Sequence, residues 1–175
     1  VTEDKRARRG ASVAPATLSD TFQKMLSEPK SRQAHLQEYH QFVAASHMLT
    51  SHIASLSYYA RRSASKYVQE EFQPVIKEVG NKFTQLINIH EKNIPAKSLA
   101  SQLPMNKKVL QLLSQRKQEL ESGVDDPNSV RKKLSDLKTI TDQFQLIHSN
   151  LNDQAKILQE IKGITPPSLQ TVSQN

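Results

Sequence analysis

Residues 127–161 read PNSVRKKLSDLKTITDQFQLIHSNLNDQAKILQEI. Val130, Leu137, Phe144, Leu151 and Leu158 recur at every seventh position, and Leu134, Ile140, Ile147, Ala155 and Ile161 fall three or four residues from them. A sustained seven-residue apolar repeat is the mark of a helix that buries one narrow seam against other helices. At about 1.5 Å per residue, a helix of roughly 35 residues is a rod on the order of 50 Å long. Asp125 or Asp126 can cap its start, with Pro127 suited to the first helical position. Gly163, followed by Pro166 and Pro167, stops it. A rod of that length needs partners of similar length.

The remaining sequence supplies them. Leu18, Phe22, Met25 and Leu26 predict a short helix over about 15–27, which Pro29 ends. Leu36, Tyr39, Val43, Leu49, Ile53 and Leu56 form one stripe of a second helix over about 31–64. Phe42, Ala45, Met48 and His52 form another stripe beside it, which implies more than one neighbour. Val68, Phe72, Val75, Val79, Phe83, Leu86 and Ile87 mark a third helix over about 68–91. Pro74 belongs either to the first turn of a helix starting near Phe72 or to a kink. A connector bracketed by Pro95 and Pro104 leads to a fourth helix over about 105–121, with Met105, Val109, Leu112, Leu113 and Leu120 inward. Gly123 can take a left-handed cap before the rod begins. The expected fold is all-α: a bundle of about four to five helices arranged as two long antiparallel hairpins. Segment 1–14 reads as a basic, frayed N-terminal flank, 15–164 as the bundle and 165–175 as a disordered tail.

Composition agrees with helices. The 175 residues include 36% apolar and 5% aromatic side chains, four glycines and no cysteine. Without cysteine there is no disulfide framework and no thiolate chemistry. No apolar run approaches the roughly 20 residues that span a bilayer. The first residue is Val rather than Met, which reads as a piece of a longer protein. The net charge is +7 and the pI near 9.6. Nucleic acid or an anionic membrane surface can attract such a charge. The basic residues are spread among acidic neighbours, however, which weighs against a nucleic-acid interface. The one dense cluster is Lys5, Arg6, Arg8 and Arg9.

The sequence offers no constellation for catalysis. The six histidines (His35, His40, His47, His52, His90 and His148) include no pair at the four-residue spacing that sets two imidazoles on one helical turn for zinc. There is no glycine-rich phosphate loop and no nucleophile elbow. Tyr58 and Tyr59 with Arg61 and Arg62 could stack on an aromatic anion, although the frayed, surface end of a helix is the favoured account of them. Gln- and Lys-rich faces read as solvated helix surface. The reading is therefore a non-enzyme with no metal or cofactor site.

One stretch is more distinctive than periodicity. Ala7-Arg8-Arg9 leads through Leu18-Ser19-Asp20-Thr21-Phe22-Gln23-Lys24 to Met25-Leu26-Ser27-Glu28-Pro29-Lys30-Ser31. His40-Gln41-Phe42-Val43, then His47 to Leu56, then Phe72-Gln73-Pro74-Val75-Ile76 follow. This resembles the C-terminal soluble region of the fusaric-acid-resistance-like (FUSC) inner-membrane proteins of bacteria, in the branch that includes YccS and YhfK. The likeness covers about residues 6–90. Ser12 and Pro15 depart from it, standing where larger apolar residues and an unbroken helix are expected.

The resemblance implies a cytoplasmic helical domain at the inner face of the bacterial inner membrane. It would belong to an integral-membrane, exporter-like protein of an organic- and aromatic-acid efflux family. Its role would be structural or regulatory, without chemistry of its own. It implies as partners the protein's own transmembrane portion, a second copy of the chain and an anionic membrane surface. Lys5, Arg6, Arg8 and Arg9 then form a candidate membrane-proximal cluster. Ser27, Glu28, Pro29 and Lys30 form either a candidate docking turn or a simple chain reversal. The alternative is a free-standing helical adaptor for protein interaction.

Overall fold

The computed structural model describes residues 2–62, 71–96, 103, 107–123 and 126–164. Among these the chain is an all-α bundle with no strand. Five helices follow in order: α1 (Thr2–Leu26), α2 (Leu36–Arg62), α3 (Gln73–Lys92), α4 (Lys107–Ser122) and α5 (Pro127–Lys162). The expected tail at 165–175 lies outside the described residues, as do Val68 and Met105.

The first helix corrects the sequence reading. In place of a frayed flank over 1–14, α1 runs unbroken from Thr2 to Leu26 with Pro15 inside it. Pro15 donates no backbone hydrogen bond and crowds the preceding turn, which ordinarily breaks a helix. Ala7, Arg8, Arg9, Ala11 and Ala14 offset this with strong intrinsic helix preference. Pro15 is itself buried, so its ring also removes apolar surface from water.

The second helix starts at Leu36 rather than Ser31. Pro29 leads a 3-10 turn at Lys30–Arg32, closed by the Arg32 N–H donating to the Pro29 carbonyl at 2.8 Å. His35 then takes a left-handed φ of 55°. Only its carbonyl joins the helix, accepting from the Tyr39 N–H at 2.9 Å. The α3 start places Pro74 in the first turn, where its missing N–H costs nothing. The Ile76 N–H donates to the Phe72 carbonyl at 2.9 Å.

The rod has the ends its sequence predicts. Asp126 accepts from the N–H of Ser129 at 3.0 Å and of Asn128 at 3.4 Å. At the other end, Gly163 has φ 63°. Its N–H donates to Glu160 O at 3.1 Å, and that of Ile164 donates to Gln159 O at 2.9 Å. This pair of bonds is the Schellman motif. Gly123, with φ 65°, closes α4 in the same left-handed conformation.

The chain divides into two compact units, where the sequence suggested a single bundle. The first comprises Val1–Ser51, Thr84–Leu99 and Asn150–Asn175. Here α1 and α2 form an antiparallel hairpin, with Phe22 against the His40 ring (centroids 5.7 Å apart) and Ser19 Oγ 2.7 Å from His47 Nε2. Its core gathers Ile89, Ala96, Ala155 and Leu158, with Phe42, Leu86 and Ile164 packed around them. Full burial of a large aliphatic side chain contributes about 1.5–3 kcal/mol.

The second unit comprises His52–Phe83 and Ala100–Ser149. Its core holds Phe72, Val75, Val109, Val130, Leu137, Ile140, Phe144 and Ile147. Phe72 meets Phe144, and Glu78 and Lys82 lie within electrostatic reach of His148. The α3 and α5 segments in this unit therefore run side by side in the same direction. Leu103, four residues before α4, is joined to Gln145, and α4 ends five residues before α5 begins, so α4 runs antiparallel to α5.

Side-chain assignments change on two helices. Met48 and Tyr39, read as inward on α2, are exposed. On α3, Phe83 and Ile87 are exposed, and Lys82 and Ile89 are buried in their stead.

Candidate functional site

The basic cluster at the start of α1 sits on one broad side of a helix. At 100° per residue, Lys5, Arg6, Arg8 and Arg9 fall within about 160° of arc. Lys5, Arg6 and Arg9 are exposed. Nearby Val13 adds an apolar side chain that is 55% exposed. The unbroken α1 thus presents cations and an aliphatic group together, a pattern that suits an anionic surface with an apolar interior.

The Ser27–Lys30 turn is held by its own residues. Ser27 donates from N and from Oγ to the Lys24 carbonyl (3.1 and 2.6 Å), and the Glu28 N–H donates to Met25 O at 3.2 Å. The Gln33 amide then reaches back, donating to Leu26 O at 3.0 Å and Glu28 O at 2.8 Å. These bonds satisfy carbonyls that every helix end leaves open. Gln33 is a part of this turn that the sequence reading missed. Glu28, Pro29 and Lys30 remain exposed.

The strongest electrostatic feature lies elsewhere, in the second unit. His148 on α5 is 1% exposed, and neither ring nitrogen has a hydrogen-bond partner among the described residues. Burial, and then the ammonium of Lys82, push its imidazole below the usual histidine range, with the Glu78 carboxylate opposing. Lys82 is 5% exposed, and burial lowers its pKa too, again against Glu78. A neutral imidazole is therefore held beside a buried cation. Buried as it is, this imidazole cannot meet a solute without local opening.

Four glutamines, all on α5, supply a second set of polar contacts, buried at Gln154 and Gln159 and part-buried at Gln143 and Gln145. Gln145 makes two bonds with Leu103, accepting from its N–H and donating to its carbonyl, each at 3.1 Å. Gln159 accepts from the Ala96 N–H at 3.0 Å and is 4% exposed. Gln143 accepts from His52 Nδ1 at 3.1 Å, and Gln154 donates to Asn150 Oδ1 at 2.7 Å. These side chains correct the reading of glutamine as solvated surface. Two of them, Gln145 and Gln159, pin the backbone of Leu103 and Ala96, which lie outside the helices.

Tyr58 and Tyr59 meet edge to face at 5.3 Å. The side chains of Arg61 and Arg62 lie outside the described residues. His40 and His47, two turns apart on α2, both face α1. Among the described residues, no three or more of His, Asp and Glu are grouped so as to hold a metal ion. Nor is any described helix long and apolar enough to cross a membrane.

The fold and these contacts define an all-α helical bundle with buried polar clamps. Comparison with protein-family models, curated proteins and solved structures finds no match to the chain.

Proposed function

We propose that this chain is the cytoplasmic helical domain of a bacterial integral-membrane, exporter-like protein of an organic- or aromatic-acid efflux family, with a structural or regulatory role. The observation that carries the reading is the exposed basic side of α1, on a helix that continues without a break into the Met25–Lys30 turn. Cytoplasmic flanks of membrane spans are rich in Lys and Arg. Each basic residue near an anionic leaflet contributes about 1 kcal/mol of attraction. The turn then acts as a chain reversal that leads α2 back along α1, and its exposed Glu28, Pro29 and Lys30 are available to dock on the membrane part.

A hydropathy scan of the full reading frame, joined to a reporter fused after Asn175, tests the proposal. Long apolar segments upstream of Val1 and a cytoplasmic reporter are expected. An external reporter, or a complete reading frame without spans, refutes the membrane assignment. The second outcome would leave the helical adaptor as the reading to pursue.

A further inference from the structure

The α3 helix carries two apolar faces. One enters the cores through Val75, Val79, Leu86 and Ile89. The other points outward: Ile76 is 46% exposed, Phe83 37% and Ile87 53%. At 100° per residue these three side chains, with Gly80, lie within about 60° of arc, so they form one narrow strip on a single helix. Gly80 sits in the middle of that strip. Among the described residues, a Cβ added there would meet no heavy atom within 4 Å. The fold of the chain itself therefore does not require glycine at a position where glycine is the least favoured helix residue after proline. Lacking a Cβ, glycine leaves room on a helix face for another group to come close to the backbone.

The strip is symmetric along the helix. The midpoint of Ile76 and Ile87 and the midpoint of Gly80 and Phe83 both fall between Asn81 and Lys82. A pattern with this property is complementary to itself when one copy is turned end for end. An antiparallel pair sets each Phe83 over the other copy's Gly80 and each Ile76 over the other copy's Ile87. A parallel pair sets phenylalanine on phenylalanine and glycine on glycine, crowding one level and leaving a gap at the other. Charge agrees with the antiparallel choice. Exposed Lys77 and Glu91 lie on the same side of the strip toward its two ends, and turning one copy end for end sets Lys77 opposite residue 86 of the other, about 7.5 Å along the axis from that copy's Glu91 and within reach of two long side chains.

We propose that this outer face of α3 is a two-fold, antiparallel docking surface for a second copy of the chain, with Phe83 seated on Gly80 of the partner copy. Such an interface is isologous: one patch serves both subunits and the assembly closes at two. The proposal rests on α3 alone and holds whether or not the chain is joined to membrane spans.

Sedimentation of the whole chain across micromolar to high-micromolar concentration tests it. A monomer–dimer equilibrium is expected. Phe83→Glu should weaken the dimer on the order of thirty-fold or more, the effect of losing a central anchor. Phe83 is part-exposed in the monomer, so circular dichroism and melting of that variant should stay near the parent's. If it unfolds, Ile87→Glu, at a more exposed position, replaces it. Lys77→Glu should weaken the dimer, and Lys77→Glu with Glu91→Lys should restore it.

The chain has no cysteine, so introduced thiols report the register without background. Gly80→Cys with Phe83→Cys should form a disulfide dimer faster than either single variant. A chain that stays monomeric, a dimer indifferent to Phe83→Glu and Ile87→Glu, or Gly80→Cys alone cross-linking as fast as the pair, each overturns the proposal. So does a strip found to bind only a different protein.

Discussion

The ring of Phe72 lies over that of Phe144, with centroids 5.4 Å apart and planes inclined by 19°. The two rings join the residue just before α3 to the middle of α5, and both are buried. Phe144→Ala removes a large buried ring and its stacked partner contact, at an expected cost of about 3–5 kcal/mol. Denaturant unfolding measures it. A loss below about 1 kcal/mol would mean that the ring contributes little to the core.

His148 sets a pH dependence. Its folded-state pKa is lowered by burial and by Lys82, so the unfolded chain, titrating near about 6.5, takes up a proton before the folded one does. The contribution is fully present above that value and is lost as pH falls from it toward the folded pKa. Stability should fall with acidification through this window. His148→Leu should flatten that slope and stabilise the fold by about 1 kcal/mol at neutral pH, because it removes two buried ring nitrogens without partners among the described residues. Melting curves of both proteins from pH 7.5 downward decide the matter, and an unchanged slope in the variant sinks the assignment.

Gln159→Ala strands the Ala96 N–H in a buried setting. An orphaned buried donor costs about 1–3 kcal/mol. Besides the loss of stability, hydrogen exchange at the Ala96 amide should accelerate by more than exchange in the middle of α1 does. Equal acceleration at both would point to general loosening instead of a lost clamp.

The glycines divide by sign. Gly163→Ala forces a side chain into the left-handed region at the α5 stop, at about 1–2 kcal/mol. Gly80→Ala in the interior of α3 should instead stabilise the chain by about 1 kcal/mol, measured at a concentration where it is monomeric. A destabilising Gly80→Ala would reveal a packing demand within the chain.

The α5 seam and its two ends were legible in the sequence because every signal agreed there: a seven-residue repeat, an acid before a proline, and a glycine at the stop. The α3 faces were not. Ile76, Phe83 and Ile87 are as apolar as Val75, Val79 and Leu86, and hydrophobicity alone does not say which face turns inward. Lys82 misled for the opposite reason, since a lysine within helical spacing of buried positions reads as surface. The glutamine clamps were hidden because a glutamine bonded to a loop carbonyl has the same letter as one bonded to water. Pro15 was read by its usual effect, although the helix formers before it and its own burial outweigh that effect.

The bond from Lys162 Nζ to the His90 carbonyl, at 2.6 Å, spans 72 residues of sequence. Both units draw on α5: the second unit uses it up to Ser149, and the first uses it from Asn150 onward. During synthesis from the N-terminus, the α1–α2 pairing can form early, because Ser19 and His47 are only 28 residues apart. Neither core can close until the rod itself has left the ribosome. A nascent chain stalled before α5 therefore carries the apolar faces of two unfinished cores, and no contiguous fragment contains either unit whole without also containing part of the other.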